Sequence, residues 1–232
     1  MLRRTAQFLA LGSLFALASC ETTSVAGRKD TTRTFNTVVV DAGHGGKDSG
    51  ASRRYSPAEK VIALDVAQRL NRKLRASRFQ TVMTRNTDVF IPLDQRVAIG
   101  NRQPNSIFVS VHFNDSRSRR ARGVETYYAS PHARSLAQRI SQKMLTLPGA
   151  SGGGVRKANF RVVRNAAYPS VLVECGYLSN RGDAGRSRSG DYRDMVAEKI
   201  AEAILEERYG RGYRDPAQTA AAGPRSSGVF AR

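Results

Sequence analysis

Val38-Val-Val-Asp-Ala-Gly-His-Gly-Gly-Lys-Asp-Ser-Gly50 opens with three β-branched residues, reaches an acid, and then sets a histidine among glycines. β-Branched residues suit a strand, and glycine, asparagine and aspartate suit the turn that follows. The stretch therefore reads as a strand whose carboxyl end opens into a loop carrying His44. Taken alone, His44 is either a polar turn residue or a metal ligand that needs open space around it. The sequence on either side decides how these readings are weighed.

Downstream, the apolar set Val61, Ile62, Leu64, Val66, Ala67, Leu70 and Leu74 recurs at helical spacing, which predicts a helix over 57–74. Ser56 stands before it as an N-cap, with Pro57 at the first helical position. Phe79–Thr84 reads as a second strand, Leu93–Asn101 as a helix, and Ser106–Phe113 as a third strand, apolar enough to be covered on both faces. Gly123–Ala129 is a fourth strand, Pro131–Leu145 a helix, Phe160–Val163 and Ser170–Glu174 short strands, and Tyr192–Tyr209 a closing helix. Alternation of strands and helices predicts an α/β domain over 34–209. No internal repeat is present.

The ends of the chain carry different signals. Arg3 and Arg4 precede the twelve-residue apolar run Phe8–Ser19, which is shorter than the roughly 20 residues a membrane-spanning helix needs. Basic flank and length fit an export signal over 1–19. Leu17-Ala-Ser-Cys20 resembles the processing box of bacterial lipoproteins, which implies lipidation at Cys20 and a membrane anchor. Residues 20–33 are expected to be a polar tether, and 210–232, rich in Gly, Ala, Ser and Arg, a disordered basic tail.

Lysine and arginine outnumber aspartate and glutamate by 38 to 19, a net charge of +19. An exported, tethered protein meets envelope polyanions rather than nucleic acid, and no helix-turn-helix, zinc-finger or aromatic RNA-reading pattern is present. With Cys20 lipidated, Cys175 in Val171-Leu-Val-Glu-Cys-Gly176 has no partner and reads as a packed free thiol.

In open α/β sheets, functional groups gather beyond the carboxyl ends of strands. His44, His112 and Glu174 all fall at such ends, and Glu59 lies in the first turn of the first helix. Two histidines and a carboxylate with an open position form a catalytic zinc set, and a second carboxylate beside the bound water serves as general base. Each residue alone has a bland reading: a helix-terminal charge for Glu59, a satisfied core histidine for His112. Glu174 is the most telling, because a carboxylate at the end of Val-Leu-Val is costly without a partner or a task. His132 heads a helix and is left out.

VVVDAGHGGKDSGA, Glu59, SIFVSVHFN at 106–114, GVETYY at 123–128 and SVLVECGYLSN at 170–180 resemble, in order, the motifs of the zinc-dependent N-acetylmuramoyl-L-alanine amidases of type 3. The resemblance covers about residues 36–205. It implies a single mixed, mostly parallel sheet flanked by helices on both faces, related to zinc exopeptidases. It implies that His44, Glu59 and His112 bind one zinc ion, that Glu174 is the general base, and that the substrate is the amide between N-acetylmuramic acid and L-alanine in peptidoglycan. Asn114 and the Arg117–Arg122 loop are candidate substrate contacts. Cys175 after Glu174 departs from the family pattern without expected consequence. The 128–160 segment leaves no room for an additional helix over the zinc, so an open site is expected. The chain is expected to work as a monomer, anchored by its lipid to peptidoglycan-facing membrane. Glu21, standing where an aspartate favours inner-membrane retention, points to the outer membrane. Two other readings stand beside this one: a zinc exopeptidase, and a wall-binding lipoprotein without turnover.

Overall fold

The structure, a computed structural model, describes residues 27–213. The signal peptide, Cys20 and nearly all of the expected tail lie outside the described residues.

Six strands form one sheet: β1 (Thr37–Ala42), β2 (Gln80–Met83), β3 (Ser106–Asn114), β4 (Val124–Tyr128), β5 (Gly152–Lys157) and β6 (Ser170–Tyr177), in the order β2-β1-β3-β6-β4-β5. β2, β1, β3 and β6 run parallel; β4 lies antiparallel to β6, and β5 parallel to β4. The sheet is mixed and mostly parallel, as the motifs implied. Six helices surround it: α1 (Glu59–Ala76), α2 (Leu93–Asn101), α3 (Arg134–Met144), α4 (Arg161–Arg164), α5 (Arg181–Arg188) and α6 (Gly190–Tyr209).

The two faces of the sheet are unequal. Side chains alternate along a strand, so Val38 and Val40 on β1, Ile107, Val109 and Val111 on β3, and Val171 and Val173 on β6 share one face. There they build the larger core with Ile62, Leu70, Leu136, Ile140 and Ile200 from α1, α3 and α6. The opposite face carries Val39, Phe108 and Leu172, covered by Val97 of α2 and Val162 and Val163 beside them. Following this second face toward the carboxyl ends gives Asp41 on β1, Ser110 and His112 on β3, and Glu174 on β6. Register confirms the row: Asp41 pairs with Ser110, and His112 with Glu174. One face thus changes from apolar to polar along its own strands, and the polar half is where the site forms.

That polar half rests on a buried ion pair. Asp41 is fully buried and Arg96 of α2 is 2% exposed; Arg96 Nη1 donates to Asp41 Oδ1 at 2.8 Å. Thr84 and Ser110 hydroxyls donate to the two carboxylate oxygens at 2.6 Å each. Burial opposes ionisation of Asp41, but the Arg96 charge and the two hydroxyls outweigh it and hold the carboxyl below its usual range.

Four local expectations are corrected. Phe160–Val163 is not a strand: Phe160 caps the single helical turn α4, and the strand in this part of the chain is β5, Gly152–Lys157, where Gly152-Gly-Gly154 gives little strand propensity. Helix α1 starts at Glu59, with Ala58 extended at its N-cap, so neither Ser56 nor Pro57 caps it. The 131–145 helix divides into a 3₁₀ turn, Pro131–Ala133, and α3. The end of the expected tether is docked: Lys29 N donates to Ala167 O at 3.0 Å and Thr31 Oγ1 to Ser106 O at 2.6 Å.

Removing one member of a buried pair leaves the other charged and unsolvated. Arg96→Met is expected to lower stability by about 3–5 kcal/mol at pH 7. Without Arg96, burial raises the Asp41 carboxyl above its unfolded value, so protonation on acidification favours the folded variant. In the wild type the same carboxyl is depressed, so its contribution persists down to pH 4 and is lost only below the unfolded value. The difference between the two should therefore shrink from pH 7 to pH 4, as read by urea unfolding; a constant difference would refute this.

Candidate active site

Three segments converge at the carboxyl end of the polar face. The β1–α1 loop carries His44 in a left-handed conformation, φ 57°, which is unusual for a residue with a side chain. Two buried arginines hold its backbone in place. Arg96 Nη2 donates to His44 O, and Arg85 Nη2 donates to Gly43 O at 2.6 Å. Gly43 has no spare room: a Cβ there would lie 2.4 Å from the His112 ring. At Gly50 a Cβ would meet Glu59 Oε2 at 2.5 Å and His44 at 2.6 Å. These glycines let the loop close around the two imidazoles.

Glu59 sits between the histidines. Its Oε1 lies 3.0 Å from His44 Nε2 and 3.0 Å from His112 Nδ1, and also accepts the Phe113 backbone N–H at 3.0 Å. Its Oε2 accepts the Ala51 N–H at 2.9 Å. Burial disfavours the charge, but hydrogen bonds and charges from His112 and His44 prevail, and the carboxyl is held far below its usual range. One ligand atom from each of His44, Glu59 and His112 lies within 4.8 Å of the others. The far nitrogen of His44, Nδ1, lies 2.8 Å from Asp48 Oδ2. A carboxylate behind a ligating histidine orients the ring and selects its tautomer, as in many metal sites. Two imidazoles and one carboxylate, one imidazole braced in this way, fit a divalent metal of zinc type.

Glu174 faces this cluster from the neighbouring strand position. Its Oε2 is shut off from solvent and has no hydrogen-bond partner. Burial, followed by the charges of Glu59 and Glu125, pushes its carboxyl well above the usual range. The four groups line one cavity of about 570 Å³, whose other wall is apolar, built from Phe90, Leu93, Phe160 and Leu172.

Glu125, inside GVETYY, is a site residue that no local sequence pattern marks. β4 pairs antiparallel with β6 so that Glu125 lies directly opposite Glu174. Unlike Glu174, it is saturated: Oε2 accepts from Tyr127 Oη at 2.7 Å, Tyr177 Oη at 2.9 Å and Asn114 Nδ2 at 3.0 Å, and Arg156 Nη2 lies 3.2 Å from Oε1. Burial and this carboxylate push the Tyr177 phenol up to about 12. Asn114 thus lines the cavity and ties down Glu125. Tyr177 reaches Glu125 because β6 shifts register after His112–Glu174, with Gly176 at φ 145°. Asp48, four residues from His44, was the other unassigned member; its spacing was the available signal.

The remaining candidates separate from the cluster. Arg117–Arg122 lies on an exposed loop, of which Arg117 and Arg119 line a second cavity. His132 is largely exposed, 3.4 Å from Asp30. Cys175 is buried and unpaired among the described residues, with burial raising its thiol; it packs in the larger core.

Comparisons with known proteins agree with this geometry. The family described as N-acetylmuramoyl-L-alanine amidase matches residues 38–206. The amidase LytC of Bacillus subtilis is 33% identical over 88% of the chain, which spans only 41% of the length of LytC. The catalytic domain of CwlV from Bacillus (Paenibacillus) polymyxa superimposes with a TM-score of 0.70 at 36% identity, covering 74% of this chain and 97% of that one. AmiC2 of Nostoc punctiforme gives a TM-score of 0.71 at 38% identity over 73% of this chain and 95% of its own. A match over nearly the whole described domain, on a sheet that brings His44, Glu59, His112 and Glu174 to one rim, means that the chain belongs to the N-acetylmuramoyl-L-alanine amidase family.

Proposed function

We propose that this chain hydrolyses the amide between N-acetylmuramic acid and L-alanine in peptidoglycan, using one zinc ion held by His44, Glu59 and His112 and releasing stem peptides. The observation that carries the reading is Glu174: a half-buried carboxylate whose Oε2 is shut off from solvent without a partner, facing three metal-competent side chains. A binding protein has no use for such a group, and its burial is costly.

Amides resist hydrolysis because the carbonyl is weakly electrophilic and the amine departs poorly. Zinc in this site would supply Lewis acidity toward the carbonyl and toward water. The rest falls to the chain. Asp48 fixes His44 so that Nε2 points into the cluster. Ala51 N–H occupies Glu59 Oε2, leaving Oε1 directed at both imidazoles. Glu174 takes the proton from the attacking water and returns it to the departing L-alanine nitrogen, acting as base and then acid. No covalent enzyme intermediate is required, and Ser110 is committed to Asp41.

An exopeptidase with paired metals is disfavoured, because His44, Glu59 and His112 form the one metal-competent cluster among the described residues. The site is read as open without an activator. α3, the helix of the 128–160 segment, packs Leu136 and Ile140 on the larger core, on the face of the sheet away from the cluster. We place the chain in the cell envelope, tethered through Cys20 to the membrane facing the wall, on the strength of the Leu17–Cys20 pattern.

Incubated alone with purified peptidoglycan, the wild-type chain should release stem peptides with a free L-alanine amino terminus, detected by mass spectrometry. Glu174→Gln should retain zinc and lose about 10²–10⁴-fold in rate. Equal release by both would remove Glu174 from the mechanism, and no release by the wild type would overturn the function or the open site. By elemental analysis, His44→Ala and His112→Ala should each abolish stoichiometric zinc. Asp48→Asn should weaken zinc about 10–100-fold while the fold persists; unchanged affinity would show that Asp48 does not brace the ligand.

A further inference from the structure

A second cavity, about 550 Å³, opens beside the first. Three separate segments line it: Arg53, Arg54 and Tyr55 from the β1–α1 loop, Arg117 and Arg119 from the β3–β4 loop, and Arg181 at the start of α5. Five guanidinium groups share this space. Arg53 pairs with Asp115, Nε to Oδ1 at 2.8 Å. Among the described residues, Arg54, Arg117, Arg119 and Arg181 form no salt bridge. Such a gathering of like charge repels itself and is relieved by an anionic ligand.

The arginines are also held in place. Ser116 N donates to Ser179 Oγ at 3.0 Å, and Asn180 Nδ2 donates to Arg119 O at 2.9 Å, fastening the β3–β4 loop to the segment after β6. The Arg181 guanidinium lies 5.0 Å from the centre of the Tyr55 ring and donates to its hydroxyl at 3.3 Å. A solvated basic loop would not need these fastenings.

The linings of the two cavities meet at one ion pair. Asp115 lines the first and pairs with Arg53 of the second. His112 and Ser116 are four residues apart, hence no more than about 14 Å. Resting on the amide reading above, the charge of the substrate then decides what fits. The muramic acid carboxyl is consumed in the scissile amide, so the glycan side is uncharged. The carboxylates all belong to the peptide on the nitrogen side. We infer that the arginine cavity is a subsite for the carboxylates of the acidic stem peptide, engaged through charge-assisted guanidinium pairs.

Binding tests this apart from turnover. The full chain carrying Glu174→Gln, Arg117→Gln/Arg119→Gln on that background, and Arg72→Gln as a control on the exposed side of α1, would be titrated calorimetrically. The probes are the acidic stem peptide and the same peptide with its carboxylates amidated. The acidic peptide should bind the parent more tightly, and the double substitution should weaken it about tenfold or more without weakening the amidated form comparably. Arg54→Gln should act in the same direction, and Arg72→Gln should not. Equal affinity for the two peptides, or no effect of the arginine substitutions, overturns the inference even if the amide is hydrolysed. Retained peptide binding with lost binding to vesicles of phosphatidylglycerol also overturns it, assigning the cavity to lipid phosphate. Placed in the chain with Glu174 intact, Arg117→Gln/Arg119→Gln should lower kcat/KM for the acidic muramoyl peptide more than for its amidated counterpart. If neither is cleaved while selective peptide binding persists, the subsite stands and the proposed reaction fails.

Discussion

Everything at the site depends on the position of a short loop, and that loop is positioned by buried charge. Asp41 lies next to the end of β1 within the sheet, and Arg96 reaches it from α2. The remaining guanidinium donors of Arg96 go to Ala42 O, His44 O and Ile91 O. Arg85 adds donors to Ala42 O, Gly43 O and Lys60 O. Consecutive carbonyls of residues 42–44 are thus gripped from two directions, in a stretch that offers little packing of its own. A hydrophobic replacement of such a pair can match it in stability, but cannot aim three carbonyls. The left-handed His44 is the result: its backbone is fixed before its ring meets any ligand.

Strand alternation then places the other groups. A parallel pair in register brings His112 beside Glu174, and an antiparallel pair brings Glu125 opposite Glu174. Because these positions share parity with Val39, Phe108 and Leu172, they lie on the face covered by α2 and α4. The short lengths of those helices matter. α4 is a single turn and stops at the apolar half, so the polar half keeps a cavity, while α1, α3 and α6 bury the other face completely. The candidate site and the core are built on the same sheet at two heights.

This explains how much was legible beforehand. Val-rich strands, the amphipathic first helix and the gathering of His44, His112 and Glu174 at strand ends are local patterns with a fixed period, and the sheet honours them. What escaped depends on contacts distant in sequence. β5 is an edge strand whose triple glycine carries no strand signal; it exists because β4 offers it a ladder. Arg161-Val-Val-Arg164 has strand propensity but folds as a turn of helix to cap the smaller core with Val162 and Val163. Ser56-Pro57 looked like a helix start, yet the chain stays extended through Ala58 because Glu59 N donates to Ala51 O while Glu59 Oε2 accepts from Ala51 N. That two-way tie sets where α1 begins, and so where the Glu59 carboxylate points.

Glu125 and Glu174 show why carboxylate identity alone does not assign a role. They face each other across two hydrogen-bonded strands, Glu125 buried and Glu174 half-buried. Glu125 accepts three hydrogen bonds on one oxygen and faces an arginine with the other; its lone pairs are committed, and taking a proton would break that network. Glu174 leaves its Oε2 without a partner, and its side chain lines the cavity shared with His44, Glu59 and His112. The role proposed for Glu174, accepting and then releasing a proton, needs that freedom. Glu125, by contrast, fixes Asn114, Tyr127 and Tyr177 as a wall and adds a negative charge beside Glu174 that disfavours its ionisation. The satisfied carboxylate shapes the cavity, and the unsatisfied one is left able to act.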